Sequence, residues 1–265
     1  MMQVSAFDWY QGTVSAAYDQ VLDALPGPFE RGPGLHGYTD TYKGQTSAGS
    51  SFTVWAGGKC VRPSVQGRGA DAPGVAELLR GLPWGHVVTR ADSAVDLKGP
   101  GLFDDLVGLL REFARFEGLR TSVAGDWLSE GHDAGRTLYL GSRKSAVFLR
   151  CYEKGKQLGE DRDWVRVELQ VRPKGTQRRF MAGASPDDAW GCGGWSSRLA
   201  PQFLGGMMPE VCPAGWRASH DELGERFDKM ADRNWRLLVD VWERYGGEWV
   251  CQHLGALAER HAGGN

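Results

Sequence analysis

Three stretches of this chain alternate apolar and polar side chains with a period of two, and no other sequence feature constrains the fold as much. Residues two apart along an extended strand share a face. In His86–Leu97 one face takes Val87, Ala91, Val95 and Leu97, with Thr89 and Ser93 among them, and the other takes Arg90, Asp92 and Asp96. In Ala146–Lys154, Val147, Leu149 and Cys151 oppose Phe148, Arg150, Tyr152 and Lys154. In Trp164–Arg172, Val165, Val167, Leu169 and Val171 oppose Trp164, Arg166, Glu168, Gln170 and Arg172. A dry face backed by a wet one is the pattern of an antiparallel sheet packed on one side. A solvated sheet surface would explain any one of these strands alone. Aspartate, however, is depleted in strands, and acids with arginines hold the mid-strand places on two of the three. If the strands are neighbours, these groups converge on one patch.

Other segments supply helices and shorter strands. Extended patterns occur at Phe7–Val14, Gly37–Lys43, Ser51–Ala56, Val61–Gln66 and Thr137–Leu140. Helical periodicity predicts Ser15–Leu25, stopped by Pro26-Gly27-Pro28, then Pro73–Leu82 and Leu102–Glu117. The last of these carries an apolar stripe of Leu102, Leu106, Leu109, Leu110, Phe113 and Phe116. The glycines of Gly67-Arg68-Gly69 read as a turn. After Pro173 the character changes. Lys174–Pro213 is irregular, Ser219–Tyr245 reads as a long helix opened by the capping box Ser219-His220-Asp221-Glu222 and closed at Gly246-Gly247, and Glu248–His261 as a last helix. The expected fold is α+β: a curved, mainly antiparallel sheet with flanking helices and a helical C-terminal part. Residues 1–173 would form the sheet domain. Residues 174–265 would be a helical region, either separate or packed on the same domain.

No apolar run approaches the roughly 18 residues of a membrane helix, and Met1-Met2-Gln3-Val4 lacks a secretory start, so a cytoplasmic protein is expected. The five cysteines are scattered without zinc spacing. A formal net charge of −2 argues against a polyanionic partner, but its distribution does not. From Arg136 to Arg179 twelve basic residues face five acidic ones, a local +7 against −9 elsewhere. Arg143, Lys144, Lys156 and Arg172 are the DNA-contacting candidates there.

The polar faces suggest a chemistry. Clustered carboxylates raise one another's pKa unless a cation neutralises them, and their oxygens suit Mg2+ or Mn2+. Such an ion would polarise a phosphoryl oxygen, and arginines would take up developing charge. A tyrosine hydroxyl can attack phosphorus and become linked to it, although its ordinary pKa of about 10 makes it a poor nucleophile without help. Of seven tyrosines, Tyr152 alone stands between two cations, Arg150 and Lys154, which with the metal would favour the phenolate. Among the tryptophans, Trp127 and Trp164 are the candidates for stacking on bases.

The same residues resemble a known family. Arg90-Ala91-Asp92-Ser93-Ala94-Val95-Asp96 is similar to the R-x-D-x-x-x-D strand of the phage and plasmid replication initiation factors, the Rep_trans group. The run Thr137 to Ser145 resembles their glycine-containing turn, Leu149 to Lys154 their R-x-Y-x-K strand, and Trp164 to Leu169 their R-x-E-L strand. Phe7-Asp8-Trp9 is similar to their opening strand. The resemblance implies rolling-circle initiation: a nick at an origin, a 5′ phosphate held on tyrosine, a free 3′ hydroxyl that primes a host polymerase, and a closing transfer. It implies Tyr152 as nucleophile, with Arg150, Lys154, Arg90 and Arg166 around it, and Asp92, Glu168 and Asp96 as metal carboxylates, Asp8 being a further match. A homodimer and a host helicase are compatible with it. No His-x-His pair exists to suit a histidine-metal initiator, and His86 and Arg90 lack a recombinase spacing. Two other readings stay open: a non-enzymatic single-stranded or origin DNA-binding protein, and a metal nuclease in which water attacks.

Overall fold

A computed structural model describes residues 5–60, 62–128, 135–210, 212 and 235–262. Ten strands form one open sheet: β1 (Ser5–Val14), β2 (Glu30–Pro33), β3 (Asp40–Gln45), β4 (Ser51–Ala56), β5 (Ser64–Arg68), β6 (His86–Lys98), β7 (Thr121–Ala124), β8 (Thr137–Leu140), β9 (Val147–Tyr152) and β10 (Trp164–Val171). Their spatial order is β2-β3-β4-β5-β1-β6-β10-β9-β8-β7. Every neighbouring pair is antiparallel. The three alternating strands therefore lie side by side as β6, β10 and β9. The fold is α+β, as expected.

Helices α1 (Tyr18–Ala24), α2 (Ala72–Gly81), α3 (Leu102–Phe116), α4 (Lys154–Leu158), α5 (Gln177–Gly183) and α6 (Gly194–Leu199) accompany the sheet. On the apolar face, α2 packs on β1 and β5, α5 on β6, and α3 on β8 and β9. Val95, Val167, Leu169, Leu149, Leu138 and Leu140 are fully buried there with Leu79, Leu110, Met181 and Trp190. Each such side chain contributes about 1.5–3 kcal/mol on leaving water. Close approach sets two glycines. A Cβ on Gly12 would lie 2.8 Å from the His86 ring, and one on Gly67 would lie 2.6 Å from Val75. Gly67 is thus a strand residue that admits α2, not a turn residue as expected, while Gly69, with φ +56, does turn the chain.

Several expectations change. Two irregularities interrupt β1 against β6: Phe7 pairs with Ser93 but Trp9 with Asp92, and Gln11 pairs with Arg90 but Gly12 with Val88. Asp8 and Thr89 are the extra residues of these bulges, which shift side chains between faces. His86 and Val88 are therefore buried instead of Val87 and Thr89. β9 ends at Tyr152, so Lys154 begins α4 and does not continue the strand. In α3 the buried stripe is Phe103, Leu106, Val107, Leu110 and Ala114, and Phe116 is 86% exposed.

The chain divides into two compact units, residues 1–216 and 217–265. The change of character after Pro173 falls inside the first: Met181, Trp190, Leu199 and Phe203 are buried in its core. In the second, α7 (Trp235–Ala262) is broken at Gly246, with φ 80 and ψ 159, where the glycine pair was expected to stop a helix. Residues 219–234 of the expected long helix, with its capping box, lie outside the described residues.

Candidate active site

The register aligns the polar residues of β6, β10 and β9 in rows. Asp96, Arg166 and Tyr152 form one row, Ala94, Glu168 and Arg150 the next, and Asp92, Gln170 and Phe148 a third. Arg150 joins the second and third rows, since its Nη2 meets both Glu168 and Asp92. Two ionic clusters result.

The first holds Asp92, Glu168, Arg90, Arg150 and Tyr152. Asp92 is 0% exposed and Glu168 1%. Arg90 grips Asp92 with Nε at 2.8 Å and Nη2 at 2.5 Å. Arg150 Nη2 donates to Glu168 Oε1 and reaches Asp92 Oδ2 at 3.4 Å. The Tyr152 hydroxyl donates to Glu168 Oε2 at 3.3 Å. Burial pushes Glu168 above the usual carboxylate range, with Arg150 opposing and Asp92 adding to the shift. Burial and then the Glu168 carboxylate push the Tyr152 phenol up as well, against Arg166 and Arg150. Burial and Glu168 thus outweigh the two arginines, of which Arg150 favours the phenolate as expected. Lys154 Nζ stands 5.7 Å from the Tyr152 ring centroid and is bonded to Gln157.

The second cluster is centred on Arg166. Its Nε and Nη2 each lie 2.6 Å from Asp96, and Nη1 lies 2.5 Å from Asp8 on the β1 bulge. Trp164 Nε1 donates to Asp96 at 2.9 Å. Burial opposes the charge on Asp96, but the bonds from Arg166 and Trp164 outweigh it and hold the carboxyl below its usual range.

Asp96 is thus separated from Asp92 and Glu168, because Arg166 takes both its oxygens one row away. Among the described residues no three His, Cys, Asp or Glu side chains converge as a metal-holding set. Arg90 likewise takes both oxygens of Asp92, while Arg150 and Tyr152 each take one of Glu168, so a hard cation at this pair would share its carboxylates with these donors. Mg2+ is commonly held by one or two carboxylates and completed by water and phosphate.

The remaining candidates are dispersed. Arg143 and Lys144 are exposed in the β8–β9 turn, where Arg143 donates to the Tyr139 hydroxyl at 3.1 Å. Arg172 donates to the Arg143 carbonyl and orders that turn. Lys156 is paired at 2.9 Å with buried Glu153, which also holds Arg136, so it anchors α4 and does not project from it. Trp127, half-buried, packs on Phe103 at 5.8 Å, with Arg111 and Arg136 within 5.6 Å of its ring. Sequence reasoning missed the role of Trp9. Arg90 lies 3.9 Å and Arg68 4.4 Å from its ring. Its only sequence signal was the pattern Phe7-Asp8-Trp9, because cross-strand neighbours depend on register.

Residues 86–181 match the replication initiation factor family. All four motifs from Arg90 to Leu169 fall inside that segment, and Phe7-Asp8-Trp9 falls outside it. No curated protein matches the chain. Among solved structures, the rolling circle replication initiator protein from Geobacillus stearothermophilus is similar in fold, with a TM-score of 0.55 at 18% identity, covering 80% of this chain and 99% of that one.

Proposed function

From the match of residues 86–181 to the replication initiation factor family, we propose that this protein nicks one DNA strand at an origin and retains the 5′ phosphate on Tyr152. The observation that carries this reading is the Tyr152 hydroxyl bonded to Glu168 at 3.3 Å between the guanidinium groups of Arg150 and Arg166. The phenol oxygen attacks phosphorus as its proton passes towards Glu168 Oε2. The bond from phosphorus to the 3′ oxygen breaks, and that oxygen takes up a proton to become the 3′ hydroxyl primer. Its raised basicity suits Glu168 to accept the phenol proton. Arg150 and Arg90 neutralise charge on the phosphoryl oxygens in the transition state. Arg166, held by Asp8 and Asp96, fixes the other side of the phenol. Mg2+ or Mn2+ at Asp92 and Glu168 would polarise a phosphoryl oxygen. Reversal onto a new 3′ hydroxyl rejoins the strand, so polymerase is the partner that uses the primer.

The raised phenol pKa favours one other reading, in which water attacks and Tyr152 only orients the phosphate. Incubation with Mg2+ or Mn2+ and single-stranded origin DNA separates the two. A covalent, protease-sensitive adduct that is absent from Tyr152→Phe supports the tyrosine. Cleavage without adduct supports water, and an adduct formed by Tyr152→Phe refutes the assignment.

A further inference from the structure

Behind the active-site strands, on the apolar face, the short 3-10 helix Asp188–Cys192 packs on β6 and β10. Trp190 is fully buried there and donates Nε1 to Ser93 Oγ at 3.1 Å, next to Asp92 on β6. The chain returns to this helix at Glu210 and Cys212. The Glu210 amide donates to Asp188 Oδ1 at 3.1 Å. A Cβ on Gly191 would lie 2.1 Å from the Glu210 carbonyl oxygen and 3.3 Å from the Cys212 nitrogen. Only glycine lets the two backbones come this close. Their approach brings together two buried thiols, Cys192 and Cys212, which are hydrogen-bonded to one another.

Cys192 Sγ also rests on Met181 Sδ at 3.4 Å, as a sulfur packed in a core does. Its contact with a second thiol differs in kind. Two sulfurs in hydrogen-bonding contact stand a small side-chain rotation away from the roughly 2.05 Å separation of a disulfide. The shared proton also makes the pair unequal. The bond from Cys192 holds the Cys212 thiol below its usual range, against burial and Glu210, and the same bond with burial pushes Cys192 up. The thiolate is the attacking form of cysteine, so Cys212 is the nucleophile and Cys192 its resolving partner. With Cys192 9% and Cys212 4% exposed, the pair admits a small oxidant and excludes a bulky one.

We propose that Cys192 and Cys212 are a peroxide-sensitive pair whose disulfide locks the segment between them onto the back of the active-site sheet. The Cys212 sulfur attacks one oxygen of hydrogen peroxide, the O–O bond breaks, and the departing hydroxide takes up the thiol's proton as water, leaving a sulfenic acid. The Cys192 sulfur then attacks the Cys212 sulfur, the S–O bond breaks, and the hydroxyl leaves as water with the Cys192 proton. Two thiols and one peroxide thus give one disulfide and two waters. The bond closes the chain from 192 to 212 into a ring and so restricts the unfolded state. The inference is independent of the nicking reading, because its test involves no DNA. Full-length folded protein is treated with hydrogen peroxide, remaining thiols are blocked, and tryptic peptides are compared with and without dithiothreitol. Residues 180–198 carry Cys192 and residues 199–217 carry Cys212. These two peptides should be joined after oxidation and parted by dithiothreitol. Oxidation should raise the thermal unfolding midpoint by about 5–10 °C, dithiothreitol should reverse the rise, and folded Cys192→Ala should show none. Joined peptides that carry Cys60, Cys151 or Cys251 in place of this pair, sulfinic acid at Cys212 without a crosslink, a crosslink without a thermal rise, or an equal rise in Cys192→Ala would each overturn it.

Discussion

Burial of Asp92 and Glu168 on the wet face of a sheet is tolerable only because guanidinium groups meet them. Removing one partner of a buried ion pair typically costs about 3–5 kcal/mol, so Arg150→Ala should lower unfolding free energy by about that much in urea titrations. Glu168→Gln keeps the shape but removes the proposed proton acceptor. We expect about a hundredfold or greater loss in the rate of adduct formation, and an unchanged rate would remove Glu168 from the mechanism. His86 sets a pH dependence of stability. Its Nε2 lies 2.8 Å from the Tyr10 hydroxyl, and burial first, then Arg80, depresses its pKa to about 4. An unfolded imidazole titrates near 6.5, so between those values the unfolded chain binds the extra proton. The stabilisation is complete above about pH 6.5 and is lost as pH falls towards 4. The urea midpoint should fall across that window, and fall less in His86→Gln. Alternation in the sequence identified which side chains share the polar face. It could not say that Asp96 is claimed by Arg166 while Asp92 is joined to Glu168, because that follows from register across strands.

At the scale of elements, long strands with strict alternation were legible because each buries one complete face. Ser51–Ala56 and Thr137–Leu140 have the bounds the sequence pattern suggested. β2 and β7, four residues each and mostly exposed, bury too little to leave a hydrophobic pattern. The bulges at Asp8 and Thr89 were illegible for a different reason: an inserted residue preserves composition while exchanging faces. Packing of α2 against β1 depends on the missing side chain at Gly12. Gly12→Val would press into His86 and Leu79, at 2.8 and 3.1 Å from its Cβ. Overpacking of this kind typically costs about 1–3 kcal/mol. A reduced urea midpoint with an unchanged slope is the expected result, and no change would show that α2 can move away freely.

For the whole molecule, the near-neutral total conceals the +7 segment between Arg136 and Arg179. Part of that charge is consumed internally, since Arg136, Arg150, Lys156 and Arg166 all serve buried or half-buried acids. Counting charges in sequence therefore overstates the cations open to DNA. Affinity for single strands should still decline with salt, with a slope near 0.7 per neutralised phosphate. The expected slope is well below that of twelve contacts, and equilibrium binding at several salt concentrations measures it. Tyr152 is the last residue of β9, which is hydrogen-bonded to β10 on one edge and to β8 on the other. Tension on a DNA strand esterified there would be transmitted into a doubly anchored backbone and shared by many bonds in parallel. A tyrosine on a loop would instead yield with its tether, so the proposed attachment at Tyr152 would bear mechanical load while the other DNA end is being extended.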